Sequence, residues 1–213
     1  MDSNVYWSNE KKIERTIEAL GKNNINGYHI QTRDELLEKI KELVSEGATV
    51  SCGGSATLTE LGLLEHLRSG RYDFLDRAAK GITEAEKKEV HRKTFSADVF
   101  FTSTNALTED GQLFNVDGGG NRVAAMLFGP DKVLVVCGVN KIVKNIEEAI
   151  ERNKRVSAPI NAKRLNRNTP CAKVGYCMDC SSNDRICNEY TVIKRQGDKT
   201  RMHVLILNEN LGY

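Results

Sequence analysis

Cys171, Cys177, Cys180 and Cys187 crowd into seventeen residues with the spacing C-x5-C-x2-C-x6-C. Four thiolates are the donor set of a cubane iron–sulfur cluster or of a structural zinc. The central C-x2-C can chelate one metal centre through a tight turn, and the outer cysteines then close the site. Paired C-x2-C knuckles at both ends would favour zinc, and only one is present. The longer first spacing stands nearer the C-x4-C-x2-C run of ferredoxin-type sites. The expected cofactor is therefore an iron–sulfur cluster of the four-iron, four-sulfur kind, with zinc as the alternative and unmetallated thiols or disulfides as the bland reading. Lys163, Arg164, Arg167, Lys173 and Arg185 flank the cysteines. They offset the charge of four thiolates or form a solvated face.

Two glycine-rich loops could hold a ligand. Gly53-Gly54-Ser55-Ala56-Thr57 follows a short apolar run and precedes a helical pattern. Glycines let the backbone approach an anion, the N–H groups of a helix start favour negative charge, and Ser55 and Thr57 add hydroxyls. The plain alternative is a tight turn with a helix cap. Asn115-Val116-Asp117-Gly118-Gly119-Gly120-Asn121-Arg122 is richer in chemistry. Arg122 could clamp a carboxylate or phosphate through two parallel hydrogen bonds, and Asp117 could act as a base. The alternative is a wide turn in which Asp117 and Arg122 pair with each other. The order of residues matches neither a P-loop nor a dinucleotide fingerprint. Thr104 and Asn105, in Thr102-Ser103-Thr104-Asn105-Ala106, stand at a strand end where crevices form in parallel sheets. His29, His66, His91 and His203 are scattered, with no ligand spacing.

These loops need elements to position them. Ile13, Ile17 and Leu20 recur at helical spacing over residues 8 to 20. Thr32-x-x-Glu35, Thr57-x-x-Glu60 and Thr83-x-x-Glu86 carry the capping-box pattern and predict three helix starts. Ala48–Cys52, Tyr72–Leu75, Asp98–Ser103, Val133–Cys137, Tyr190–Lys194 and His203–Leu207 read as strands, and Leu107–Val116 as a hairpin turning at Glu109-Asp110-Gly111. Val123–Phe128 is ambiguous. Asn140 is the expected cap of a helix carrying Ile142, Val143, Ile146, Ala149 and Ile150, and Pro159 begins or breaks another. Strands alternating with helices predict an α/β fold, with a mainly parallel twisted sheet flanked by helices and a cysteine-rich metal-binding segment over residues 166–190. Residues 1–213 read as one domain.

Composition excludes several function classes. Lysine plus arginine is 31, aspartate plus glutamate 29, and the net charge +2, which gives no electrostatic case for nucleic acid. No apolar run approaches the length of a membrane span, and Met1–Glu10 has no signal-peptide pattern, so no membrane partner and a cytoplasmic location are expected. A reducing compartment argues against structural disulfides among the six cysteines.

Taken together, these landmarks resemble the lactate-utilisation (LUD-domain) family, in its small protein C-like branch. The resemblance runs through Gly53-Gly54-Ser55, Thr102–Ala106 and Gly111–Arg122. It continues through Gly129-Pro130-Asp131-Lys132, Gly138–Val143 and Ala158–Ala162 and covers roughly residues 8 to 212. It implies a fold similar to ribose-5-phosphate isomerase, glucosamine-phosphate deaminase and CoA transferases (NagB/RpiA-like). By that likeness Gly53, Gly54 and Ser55 line a ligand pocket, with Asp117, Gly118, Asn121 and Arg122 opposite, and the loop glycines Gly119 and Gly120 are candidate ligand residues beside them. The family's best-known role, oxidation of L-lactate to pyruvate beside separate iron–sulfur subunits, implies a redox protein for a small anionic hydroxy or keto acid. This chain departs from that branch by carrying its own four cysteines. A redox partner subunit is expected, and an oligomer is possible. The alternatives are a non-redox isomerase or transferase acting on a phosphorylated or acyl substrate with structural zinc, and a metabolite- or redox-sensing module.

Overall fold

A strand buried on both faces reads as an unbroken apolar run, and Val133–Cys137 is such a run. In the computed structural model, which describes residues 2–213, it forms the middle of the main sheet. Met1, where the reading of the N-terminal stretch began, lies outside the described residues.

The chain runs α1 (Ser3–Lys22), β1 (Asn26–Ile30), α2 (Arg33–Leu43), β2 (Thr49–Cys52), α3 (Ala56–Glu60), α4 (Leu63–Leu67), β3 (Asp73–Leu75) and α5 (Glu84–Lys93). It continues through β4 (Val99–Thr102), β5 (Ala106–Thr108), β6 (Leu113–Asp117), α6 (Asn121–Leu127), β7 (Lys132–Gly138) and β8 (Ile142–Val143). Last come α7 (Ile146–Arg152), α8 (Ala158–Arg164), α9 (Pro170–Val174), β9 (Glu189–Ile193) and β10 (Met202–Leu207). A π-helical turn, Asn153–Ser157, joins α7 to α8.

The main sheet has six strands in the order β1-β10-β7-β4-β2-β3, and every pair is parallel. Side-chain alternation divides its core into two layers. Leu134, Val136, Leu205, Leu207 and Phe101 face one way, with Leu36, Ile40, Leu58 and Leu63 of the covering helices. Val133, Val135, Cys137, Val204, Ile206 and Phe100 face the other way, with Ile13 and Leu20 of α1 and Met126 of α6. A second sheet, β8-β5-β6-β9, packs its Leu107, Leu113 and Ile193 into this second layer. Its hairpin turns where expected. Gly111 has φ +80°, and a Cβ there would lie 2.7 Å from the backbone of Leu20, so only glycine fits.

Local signals held where no tertiary claim opposed them. Thr83 and Glu86 form the full capping box, and Thr32 caps α2. Two caps move. Ser55, not Thr57, caps the helix after the first glycine loop, accepting from the N–H of Leu58 at 3.2 Å. That helix stops at Gly62 (φ +69°) and restarts as α4, so the run expected through Leu67 is two short helices. Asn145, not Asn140, caps α7. The Asn140 side chain instead binds the C-terminal segment, its Oδ1 accepting from Leu211 N–H at 3.1 Å, and Ile142–Val143 forms a strand. Val123–Phe128 resolves as α6, running to Leu127. Among the described residues, no helix is long and apolar enough to cross a membrane.

Candidate functional site

Parallel strands bring their carboxyl ends to one side of a sheet, and the loops that follow enclose a crevice. Here β2 delivers Gly54 and Ser55, β4 delivers Ser103 and Thr104, and the chain after β7 delivers Lys141. With Asp117, Gly118, Gly119 and Asn121 they line a cavity of about 440 Å³. The cysteine segment supplies another part of the lining, through Asn183, Asp184, Arg185 and Ile186. The glycine loops and the cysteine segment therefore share one site. Gly118 fixes how closely they meet, because a Cβ there would sit 3.2 Å from the Cα of Ile186. Asn188 closes the seam, donating its N–H to Asp117 O at 2.8 Å and its side-chain amide to Gly118 O at 3.0 Å.

The cavity is strongly cationic. Arg77, Lys87, Arg122, Lys141, Arg164, Arg167 and Arg185 line it, against the carboxylates of Asp117 and Asp184. Not all of this charge is free. Arg122 donates from Nε to Asp117 at 3.1 Å, from one terminal nitrogen to Ser103 O and Asn115 Oδ1, and from the other to Asn105 Oδ1 and Val116 O. All five of its donors have protein acceptors. Asp117 in turn accepts from the N–H groups of Arg122 and Val123 at the start of α6. The carboxylate clamp expected of Arg122 thus meets a guanidinium already saturated by its own fold. Arg77 is the opposite case. Its Nε is buried without a hydrogen-bond partner, and its terminal nitrogen stands 3.0 Å from where a Cβ on Gly54 would be.

The other expected ligand residues divide. Gly54, Ser55, Thr104, Asn105, Gly118, Gly119 and Asn121 line the cavity, while Gly53, Thr57 and Gly120 are not part of its lining. The Ser55 hydroxyl is occupied as a cap, and Asn105 Oδ1 accepts from Val116 N–H as well as from Arg122. Thr104 Oγ1 lies 2.8 Å from Ala106 O and 3.0 Å from Phe114 O, both acceptors for its hydroxyl.

Sequence reasoning did not single out Lys141 as a functional group. It is 3 % exposed, and its Nζ donates to Thr57 Oγ1 and Ser103 Oγ at 3.0 Å and to Thr104 O at 3.1 Å. No carboxylate pairs with it within salt-bridge distance among the described residues. Burial lowers its ammonium to about 8, with Cys137 opposing and Arg152 and Arg122 reinforcing the shift. The available signal was a lone lysine between Val139 and Ile142, immediately after an apolar strand.

The four cysteines stand beside the cavity rather than in its lining. Cys171 is buried at the start of α9, 3.3 Å from Thr169 Oγ1, and Cys177, Cys180 and Cys187 are half-buried. Asp179 donates its N–H to Cys177 Sγ at 3.3 Å, and Arg185 donates to the carbonyls of Cys180 and Cys187. Burial pushes the Cys187 thiol up, Arg185 pulls it down, and Cys177, Cys180 and Cys171 add to the rise. Among the described residues no three His, Cys, Asp or Glu side chains come close enough together to hold a metal ion. The donor chemistry fits a soft-metal group, with an N–H already aimed at one sulfur and a cation braced against the loop.

A family model of the LUD domain matches residues 13–207. Among solved structures, the chain is similar to a DUF162 family protein from Deinococcus radiodurans at 14% identity and a TM-score of 0.49, covering 95% of this chain and 98% of that one. It is also similar to eIF2B beta from Chaetomium thermophilum (14% identity, TM-score 0.36, 53% of this chain and 43% of that one). For eIF2B delta from the same organism the values are 18% and 0.36, with 55% of this chain and 50% of that one covered. No curated protein matches.

Proposed function

We propose, from the premise that this chain belongs to the LUD-domain family, that it is a lactate-utilisation-like redox subunit. In this reading it binds a small anionic hydroxy or keto acid beside an iron–sulfur cluster. The observation that carries the reading is the shared lining, in which Gly54 and Gly118 meet the same cavity as Arg185 and Ile186.

Cys171, Cys177, Cys180 and Cys187 would hold the cluster, which supplies one-electron transfer when bound. Among the described residues no three such side chains stand ready to hold a metal ion, so support for a cluster rests on the spacing C-x5-C-x2-C-x6-C, which stands nearer a ferredoxin-type run than paired zinc knuckles. Arg77 and Arg167 would recognise the acid, and Arg185 would both face the cavity and brace the carbonyls of the cysteine loop. Asp117 and Arg122 would act by fixing the wall on which the acid rests, with Asp117 near enough to the cavity to exchange a proton once its pair with Arg122 loosens. Oxidation of a hydroxy acid releases two electrons, so a partner subunit carrying a two-electron acceptor is part of the proposal, as is a cytoplasmic setting.

The test is metal and acid-labile sulfide analysis, with the visible spectrum, of protein purified without oxygen. The expected result is about four iron and four sulfide per chain, with absorbance that bleaches on reduction. The paramagnetic spectrum of the reduced cluster should shift on adding L-lactate or pyruvate. One zinc without a visible band would sink the redox reading and leave the cysteines as a structural clip.

A further inference from the structure

We propose that Ser103 and Lys141 form a nucleophile–base pair on the cavity floor, and that the site can transfer or hydrolyse the acyl group of an anionic ester or thioester. This goes beyond the redox reading and does not depend on the cysteines.

The geometry around Lys141 Nζ carries the inference. Three partners surround the nitrogen, Thr57 Oγ1, Ser103 Oγ and Thr104 O, at 3.0 to 3.1 Å. As an ammonium the lysine donates to all three. When it loses a proton, one partner must turn and donate to the lone pair. Thr104 O is a carbonyl and cannot. The Thr57 hydroxyl is committed to Leu211 O at 3.3 Å. Ser103 is the partner left, because its only other acceptor within reach among the described residues is Thr57 Oγ1 at 3.4 Å. Neutral Lys141 therefore receives the Ser103 proton in particular, while Thr57 and Thr104 orient the amine. Serine–lysine pairs activate hydroxyl nucleophiles on unrelated folds.

Position agrees with this. Ser103 directly follows β4 at the carboxyl edge of the sheet, and both Ser103 and Lys141 line the cationic cavity. The charged and titratable groups acting on the amine are Cys137 of β7, Arg152 of α7, Arg122 of α6 and Glu60 of α3. None of them makes a hydrogen bond or ion pair with the amine. An ammonium serving only as a structural anchor would ordinarily have a carboxylate beside it.

The step balances without a further cofactor. Ser103 Oγ forms a bond to the acyl carbon as its proton passes to Lys141 Nζ. The bond to the leaving oxygen or sulfur then breaks, and Lys141 returns the proton to it. Water, activated by the same amine, cleaves the seryl ester and restores both groups. Arg77 and Arg167 would hold an anionic group on the substrate.

The experiment treats the whole chain with an alkyl fluorophosphonate from pH 7 to 10 and maps the adduct by mass spectrometry. The expected result is one adduct on Ser103, forming faster as pH rises through about 8, where the buried amine loses its proton. Lys141→Met should slow labelling by about 100-fold or more, and Ser103→Ala should abolish it. Wild-type protein that stays folded yet gives no Ser103 adduct overturns the proposal. So does an adduct that forms equally fast in Lys141→Met. If Lys141→Met does not fold, the wild-type adduct site and its pH profile decide alone. The outcome should be the same with and without iron, which separates it from the redox reading.

Discussion

The two walls of the cavity are built on opposite terms. The wall at the ends of β4, β6 and β7 is buried, and its polar groups are spent on one another: Arg122 alone ties Ser103, Asn105, Asn115, Val116 and Asp117 together. The cysteine wall has short elements and exposed apolar side chains, with Tyr176 57 % and Met178 54 % exposed. It is held mainly by backbone and carbonyl contacts from Asn188 and Arg185. The first wall is held by a dense net of buried side-chain hydrogen bonds, whereas the second has fewer such ties.

The sharpest way to break this comparison is to remove Arg122. Arg122→Met removes the counter-charge of the half-buried Asp117 carboxylate, which keeps only the backbone N–H groups at the start of α6, and takes a donor from four other acceptors, at an expected cost of about 3–5 kcal/mol. Thermal unfolding should show a drop of about 10 °C or more. Arg122→Lys should recover little, since an ammonium cannot reproduce five donors in a fixed plane. A loss below about 1 kcal/mol would show that this wall is not the rigid one.

Lys141 gives a subtler test through pH. Its folded value, about 8, lies below its ordinary 10.5, so between these two pH values the unfolded chain holds the extra proton. Stability therefore rises with pH across that window, by up to about 3 kcal/mol for this group. Denaturant unfolding of wild type minus Lys141→Met, measured at pH 7 and pH 10.5, should show that gain because other titrations cancel. A flat difference would mean the amine is wetter than the structure shows.

Two alanines compare a glycine packed tightly against α1 with one that faces the cysteine wall. Gly111→Ala puts a Cβ 2.7 Å from the backbone of α1 with φ at +80°, at an expected cost of about 2–3 kcal/mol. Gly118→Ala meets Ile186 at 3.2 Å, and the cysteine wall can retreat, so about 1 kcal/mol or less is expected in the metal-free protein. Equal costs would erase the distinction. The smallest expected effect belongs to Arg77→Gln. It should leave unfolding unchanged and weaken inorganic phosphate binding about 3- to 10-fold by calorimetry, the worth of one charge-assisted contact.

The legible parts of the fold were those decided within a few residues. Val133–Cys137 read as a buried strand and His203–Leu207 as a strand from their apolar runs alone, and Thr83-x-x-Glu86 closed its own capping box. Thr57-x-x-Glu60 carried the same pattern and failed, because Lys141 and Leu211, distant in sequence, claim the Thr57 hydroxyl. Asn140 failed for the same kind of reason. The pairing of Asp117 with Arg122 was visible as an alternative because five residues separate them. The burial of Lys141 was not visible, since it is created by three loops that meet only when the sheet is assembled. The adjacency of Gly118 and Ile186 likewise depends on β6 and β9 finding each other, with Asp117 opposite Glu189.

The position of β10 has a consequence for the order of assembly in time. Residues 202–207 lie between β1 and β7, so residues 26–30, whose one strand partner among the described residues is β10, find it only after residues 31–201 have been made. Such long sequence separations slow folding, because loop closure must precede any reward from contact. During synthesis α1 and β1 must wait while β7, β4, β2 and β3 can already pair, and the gap is filled from the inside by β10. Chains interrupted before residue 202 should therefore keep a four-stranded remnant with an open apolar edge at β7, a species prone to aggregate.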